Sequence, residues 1–240
     1  MILRYIVIFY FIFFCSIAKI FSDYEITTSL KCANLFRYYE SKYDIPEDLL
    51  HAISIKETSK IHSKYKIALV WPWTANVNGQ THYFHTKAEA IKVIKSKIHK
   101  GDTSIDIGCL QINLAHHPYA FSNLEEAFDP SFNINYAAYF LRSKYDKFKD
   151  WDKAIAHYHS ATKIYGDKYR DDVKRIAASI GEHKKKIMNL TYNKPKKNKK
   201  SKHSFATNKQ ITQKEGSISS SLKAKSLKSD MMIYLSLIHI

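Results

Sequence analysis

Apolar residues between positions 30 and 180 recur mostly three and four apart, and this spacing demands helices packed against one another. Leu49, Leu50 and Ile53 form one such stripe. The segment Asp44-Ile45-Pro46-Glu47 before it reads as a helix start: Asp44 can cap, Pro46 suits the first turn and Glu47 completes a capping box. Leu30–Tyr43 reads as a preceding helix, with Cys32 near its start. Thr86-Lys87-Ala88-Glu89 is a second capping box, opening a helix with Ile91, Ile94 and Ile98 on one face and Gly101 as its stop. Asp129-Pro130 precedes a helix through Ile134, Ala137, Ala138, Leu141 and Tyr145. Trp151–Ala161 follows, with Trp151, Ile155 and Tyr158 on one side, and Asp167–Ile180 is the last helix expected.

One place breaks the helical pattern. Trp71–Val77 and Gln80–Phe84 flank Asn78-Gly79, a dipeptide suited to the positive φ angles of a tight hairpin. This is the one convincing β element, since Ile107–His117 reads as irregular chain around a short helical turn. Six Gly and five Pro are too few for a sandwich full of tight turns. The fold class expected is therefore mainly α, with a small β-hairpin insertion.

The formal net charge of +16 invites a nucleic-acid reading, but its distribution opposes it. Residues 182–240 hold 14 Lys against 3 acidic residues, leaving the first 181 residues only mildly basic. Beyond Gly181 the composition turns to Lys, Ser, Asn and Thr, which cannot bury a core, so a disordered basic tail is expected over 182–240. Its most direct use is electrostatic attraction to anionic wall or membrane surfaces, with a solvated, functionless or chimeric extension as the alternative. The final Leu235–Ile240 resembles a translated frame of a sequencing-library adapter, so the natural C-terminus is expected elsewhere and fold reasoning excludes these residues. At the other end, Arg4, the apolar run Tyr5–Ala18 and the small residues Ser16 and Ala18 read as a signal peptide over 1–22, with an uncleaved anchor as the alternative. The folded domain is then 23–181. Once Cys15 leaves with the signal, Cys32 and Cys109 remain. An even pair in an exported chain points to one disulfide, with two buried thiols as the alternative.

Glu57 lies on the stripe of Leu50 and Ile53, where a helix buries apolar groups. A carboxyl there loses hydration, and the partial negative charge of the helix C-terminus pushes its pKa the same way, upward. Such an acid holds a proton near neutral pH, as cleavage of a glycosidic bond requires. A Glu paired with a nearby Lys or Arg is the plain alternative.

Three motifs occur in order. Ile55-Lys56-Glu57-Thr58 resembles the catalytic Glu-Ser turn of the soluble, goose-lysozyme-like lytic murein transglycosylases, the SLT-domain family. Ile107-Gly108-Cys109-Leu110-Gln111-Ile112-Asn113 is similar to that family's Gly-Leu-Met-Gln-Ile segment. His157-Tyr158-His159-Ser160-Ala161 stands where the family has Ala-Tyr-Asn-Ala-Gly. The Trp71–Phe84 hairpin and Leu124–Pro130 resemble a proteobacterial subset of it. The resemblance spans about residues 30–180 and implies a lysozyme-like helical domain, which export through the signal peptide would place in the periplasm, free or associated with the envelope. It implies Glu57 as the catalytic acid and base, with Thr58, Gln111, Tyr158 and His159 as substrate-binding residues. Pairing of Cys32 with Cys109 would brace the motif around Gln111 against the first helix. No cofactor and no metal are implied: His116-His117, and His157 with His159, lack the spacing and partners of a zinc site. The expected partner is the peptidoglycan glycan strand, met by a monomer, with secretion-apparatus or other envelope proteins as further candidates and no specific nucleic acid. The rival readings are a muramidase-type hydrolase using Asp102 or Asp106, a non-catalytic wall-binding component of a secretion apparatus, and a secreted basic nucleic-acid binder driven by the tail.

Overall fold

The structure, a computed structural model, describes residues 24–192. The segment expected to be a signal peptide and the tail from 193 onward lie outside the described residues. Among the described residues the chain is mainly helical with a small sheet, a lysozyme-like architecture. The order is α1 (residues 24–42), α2 (Leu49–Thr58), β1 (Lys60–Ile61), β2 (Ala68–Leu69), β3 (Thr74–Val77), β4 (Gln80–Tyr83) and α3 (Lys87–His99). Then come β5 (Ile105–Ile107), β6 (Ile112–Asn113), α4 (Leu124–Ala127), α5 (Pro130–Phe148), α6 (Trp151–His159) and α7 (Lys163–Tyr192).

Helix α2 is the axis of the main core. Every residue from Leu49 to Ile55 is buried, and so is Thr58. A helix buried on every side over Leu49–Ile55 must be surrounded, and α1, α5, α6 and α7 supply the surroundings through Phe36, Ile134, Leu141, Ile155 and Val173. Its N-terminus differs from the sequence expectation. Asp44 sits in the left-handed region at φ 48°, and the helix begins five residues later. The cap comes from another helix: the buried carboxylate of Glu40 accepts from the Asp48 and Leu50 amides at 3.0 and 2.9 Å. A carboxylate placed on the orphan N–H groups of a first turn satisfies them and complements the helix dipole.

The Asn78-Gly79 hairpin forms as β3–β4, with Val77 opposite Gln80 and both turn residues at positive φ. The sheet is nevertheless larger than a hairpin. Strand β5 pairs antiparallel with β3, and β6 with β5, giving the order β4-β3-β5-β6. The stretch read as irregular from Ile107 is thus the second hairpin of this sheet, its turn running over Gly108–Gln111. Ala75, Val77, Ile105 and Ile107 bury one sheet face against Ile94 of α3 and Phe128, forming a second, smaller core. Thr86 caps α3 as its sequence indicates, accepting from the Glu89 amide at 3.1 Å. Only part of the predicted stripe on α3 is covered: Ile94 is buried, but Ile98 is exposed.

Helix α7 runs well past Ile180, into residues that composition assigned to the tail. Ile187 is buried seven residues, or two turns, after Ile180, and Lys184 reaches Asp48 at 2.8 Å. These contacts hold the extension on α1 and α2 despite its many lysines. Among the described residues no helix is long and apolar enough to cross a membrane.

Candidate active site

The sheet and helices α2, α5 and α6 leave between them a cleft of about 340 Å3. Glu57 reaches it from α2, Asp106 from β5, Gln111 and Asn113 from the second hairpin, and Tyr158 and His159 from α6.

Glu57 is the next-to-last residue of α2. Loss of hydration lifts its carboxyl to about 7, the charge of Asp106 adds to the rise, and a hydrogen bond from Tyr169 and the charge of Lys56 oppose it. The Tyr169 hydroxyl donates to Glu57 Oε1 at 2.5 Å. Burial and the negative charge of Glu57 hold this phenol well above its usual range, so it remains a donor at any physiological pH. Tyr169 is itself placed by His159, whose ring stacks flat on it with centroids 4.5 Å apart. A carboxyl with a pKa near neutrality and a fixed neutral donor can both release and take back a proton.

The β5–β6 turn carries Gln111 into the cleft at the cost of unusual backbone. Gly108 has φ +83° and Gln111 φ +47°. A Cβ on Gly108 would lie 2.4 Å from Nδ2 of Asn133, so no other residue fits beside that side chain. Asn133, fully buried on α5, donates to the carbonyls of Ile107 and Ala127 and accepts from the Leu110 amide at 3.0 Å. The Gln111 amide donates to Thr74 O at 3.2 Å and Gly108 O at 3.0 Å, bracing the turn across the two hairpins. Its carbonyl oxygen is the group left for a ligand.

Two of the expected substrate contacts have their hydroxyls bonded within the protein. Thr58 does not face the cleft: it is fully buried, donates to Ser54 O at 2.9 Å and lies 3.4 Å from the Trp71 amide. Its hydroxyl ties the end of α2 to the following chain, because the helix is enclosed at that point. Tyr158 lines the cleft, but its hydroxyl donates to Leu110 O at 2.7 Å, which fixes the second hairpin; the phenol bonded to Glu57 is Tyr169. The cleft also holds residues that were not expected to bind substrate. His116 and His117 line it beside Phe140. Asp106 accepts from Asn113 Nδ2 at 2.7 Å, and burial raises its pKa against the effects of that bond and of His116 and His159. Asp102 is elsewhere, bonded to Asn78 at 2.6 Å. No sequence signal marked Tyr169, which lies 112 positions from Glu57, or Asn133, which is merely polar on an apolar stripe.

Cys32 and Cys109 are joined, with Cα atoms 6.1 Å apart. The bond links α1 to the Gly108–Gln111 turn. Ser54 of α2 donates to the Cys109 carbonyl at 2.7 Å, so the turn is anchored to both helices.

The profile of the family described as "Transglycosylase SLT domain" matches residues 34–179, well over half of the chain. No curated protein and no solved structure matches the chain. The matched span takes in Glu57, both hairpins and Tyr169, and it makes this chain a member of the transglycosylase SLT-domain family, whose members act on peptidoglycan.

Proposed function

We propose that this protein is a peptidoglycan lytic transglycosylase that cleaves the β-1,4 bond between N-acetylmuramic acid and N-acetylglucosamine, with Glu57 as its general acid and base. One observation carries the reading: a cleft carboxyl lifted to about 7 and held by a neutral phenol, within a domain of this family. Protonated Glu57 gives its proton to the bridging oxygen as the bond to the muramoyl C1 breaks. The substrate's own N-acetyl group stabilises the cationic sugar, as in substrate-assisted glycosidases. The carboxylate, still bonded to Tyr169, then takes the proton of the muramoyl 6-hydroxyl, whose oxygen closes on C1. A 1,6-anhydro ring forms, no water is consumed and Glu57 is protonated again. Gln111 and His159 line the sugar sites, while Tyr158 acts through Leu110 to hold the wall of the cleft. The substrate implies a periplasmic or envelope location, consistent with the signal-like segment 1–22.

A hydrolytic reading draws on Asp106, which lines the same cleft and whose charge raises the pKa of Glu57. Water attacking with help from that carboxylate would make the chain a muramidase. Digestion of purified peptidoglycan by the wild type and by Glu57→Gln, followed by product masses, tests both. Anhydro ends from the wild type and none from the variant are expected. Reducing ends would replace the lyase reading with the hydrolase one, and intact glycan with the wild type would leave a wall-binding component of a secretion apparatus.

A further inference from the structure

Helix α5 carries Lys144 over a ring that lines the cleft and Lys147 nearly one turn further along the helix, and among the described residues no acidic group pairs with either. The Lys144 ammonium lies 4.4 Å from the centroid of Phe140, a ring that lines the cleft and packs on His117 at 4.6 Å and Tyr158 at 5.5 Å. Lys144 is close enough that its charge, after burial and His116, helps hold the His117 imidazole below its usual pKa. Lys147, nearly one turn on, rests 5.4 Å from the ring of Phe148, which stacks on His157 of α6. Among the described residues neither lysine has a salt bridge or a hydrogen bond from its ammonium. Their neighbours differ: Arg142 and Lys149 both pair with Asp146. Like charges three residues apart on a helix repel, and burial together with Lys147 holds the Lys144 ammonium below the usual lysine pKa. Aromatic faces beneath the two groups offset part of this, but a ring supplies no acceptor oxygen.

We infer that Lys144 and Lys147 form a carboxylate-binding edge of the cleft, which selects glycan strands carrying anionic substituents over neutral ones. The inference takes its substrate from the proposed function. A muramoyl residue bears carboxylates on its stem peptide, or on its lactyl group once that peptide is removed. Chitin has the same backbone sugars in neutral form and bears neither.

The test uses the full chain carrying Glu57→Gln, so that the polymer is not consumed. Co-sedimentation measures binding to peptide-bearing sacculi, to sacculi stripped of peptides by an amidase, and to chitin. The basic tail is present throughout and cancels in comparisons. Adding Lys144→Gln with Lys147→Gln should lower the sacculus-to-chitin binding ratio by about ten-fold, the size of a lost charge-assisted contact. Lys144→Arg with Lys147→Arg should restore it, and salt should narrow the gap. A loss limited to peptide-bearing sacculi assigns the contact to the stem peptide, and a loss that persists on stripped ones assigns it to the lactyl carboxylate. An unchanged ratio, or an equal loss on chitin, overturns the inference. Cleavage by the wild type, measured alongside, bears on the enzymatic reading separately: lysine-dependent binding without cleavage would sink that reading and keep this one.

Discussion

Glu57 is the proposed acid and base, and its environment makes it costly to keep. Between its ordinary value of 4.5 and its native value of about 7, the unfolded chain releases a proton that the folded one retains. Native Glu57 therefore erodes stability as pH rises through that window, by about 3 kcal/mol once both states are ionised. Glu57→Gln should melt with the wild type at pH 4 and progressively above it by pH 8, as calorimetry at a series of pH values would show. The same substitution should lower glycan cleavage by about 10²–10⁴-fold. Wild-type activity should fall as pH rises past about 7, when the acid is lost. Tyr169→Phe removes the hydrogen bond that favours the charged carboxylate, so the alkaline limb of the pH–rate profile should move to higher pH. A limb that stays put would deny Tyr169 its positioning role. Glu57 could be picked out beforehand because a carboxyl on an apolar helical stripe is anomalous. Tyr169 could not, since a tyrosine on a helix is ordinary until its partner is known.

The helices were legible where apolar spacing and caps agreed, as at Thr86 and Asp129. They were misread at ends governed by contacts distant in sequence. Glu40 caps α2 from across the α1–α2 turn, and removing it leaves two amides without an acceptor. Glu40→Ala should lower stability by about 2 kcal/mol in denaturant titrations, with little change of m-value. Helix α7 outlasts its compositional signal because Ile187 finds a buried seat and Lys184 an acidic partner. A chain ended after residue 181 should lose about 2 kcal/mol, the burial of one isoleucine, relative to a chain ended after 192. Equal stability of the two would mean that the extension merely rides on the domain. The second hairpin escaped notice because strands of three and two residues are too short to display an alternation.

The cleft is a product of the assembled domain. Its walls come from α2, two hairpins, α5 and α6, and one disulfide spanning 77 residues ties the hairpin turn to α1. Closing a loop of that length stabilises the fold by about 4 kcal/mol on the chain-entropy account. Cys32→Ala with Cys109→Ala, like reductant on the wild type, should lower the denaturation midpoint accordingly. Cleavage should fall more than the folded fraction does, because the Gly108–Gln111 turn loses its tie to α1.

Local order along the chain determined the helical class, the first hairpin, the acid at position 57 and the motifs of the family, because spacing, capping and turn chemistry act between residues a few positions apart. The tertiary structure alone decided which phenol holds that acid, which asparagine props the turn, that Thr58 faces inward and that α7 continues to residue 192. Each of these rests on a contact between groups remote in the chain, where burial and a partner's position, rather than residue type, set the energy.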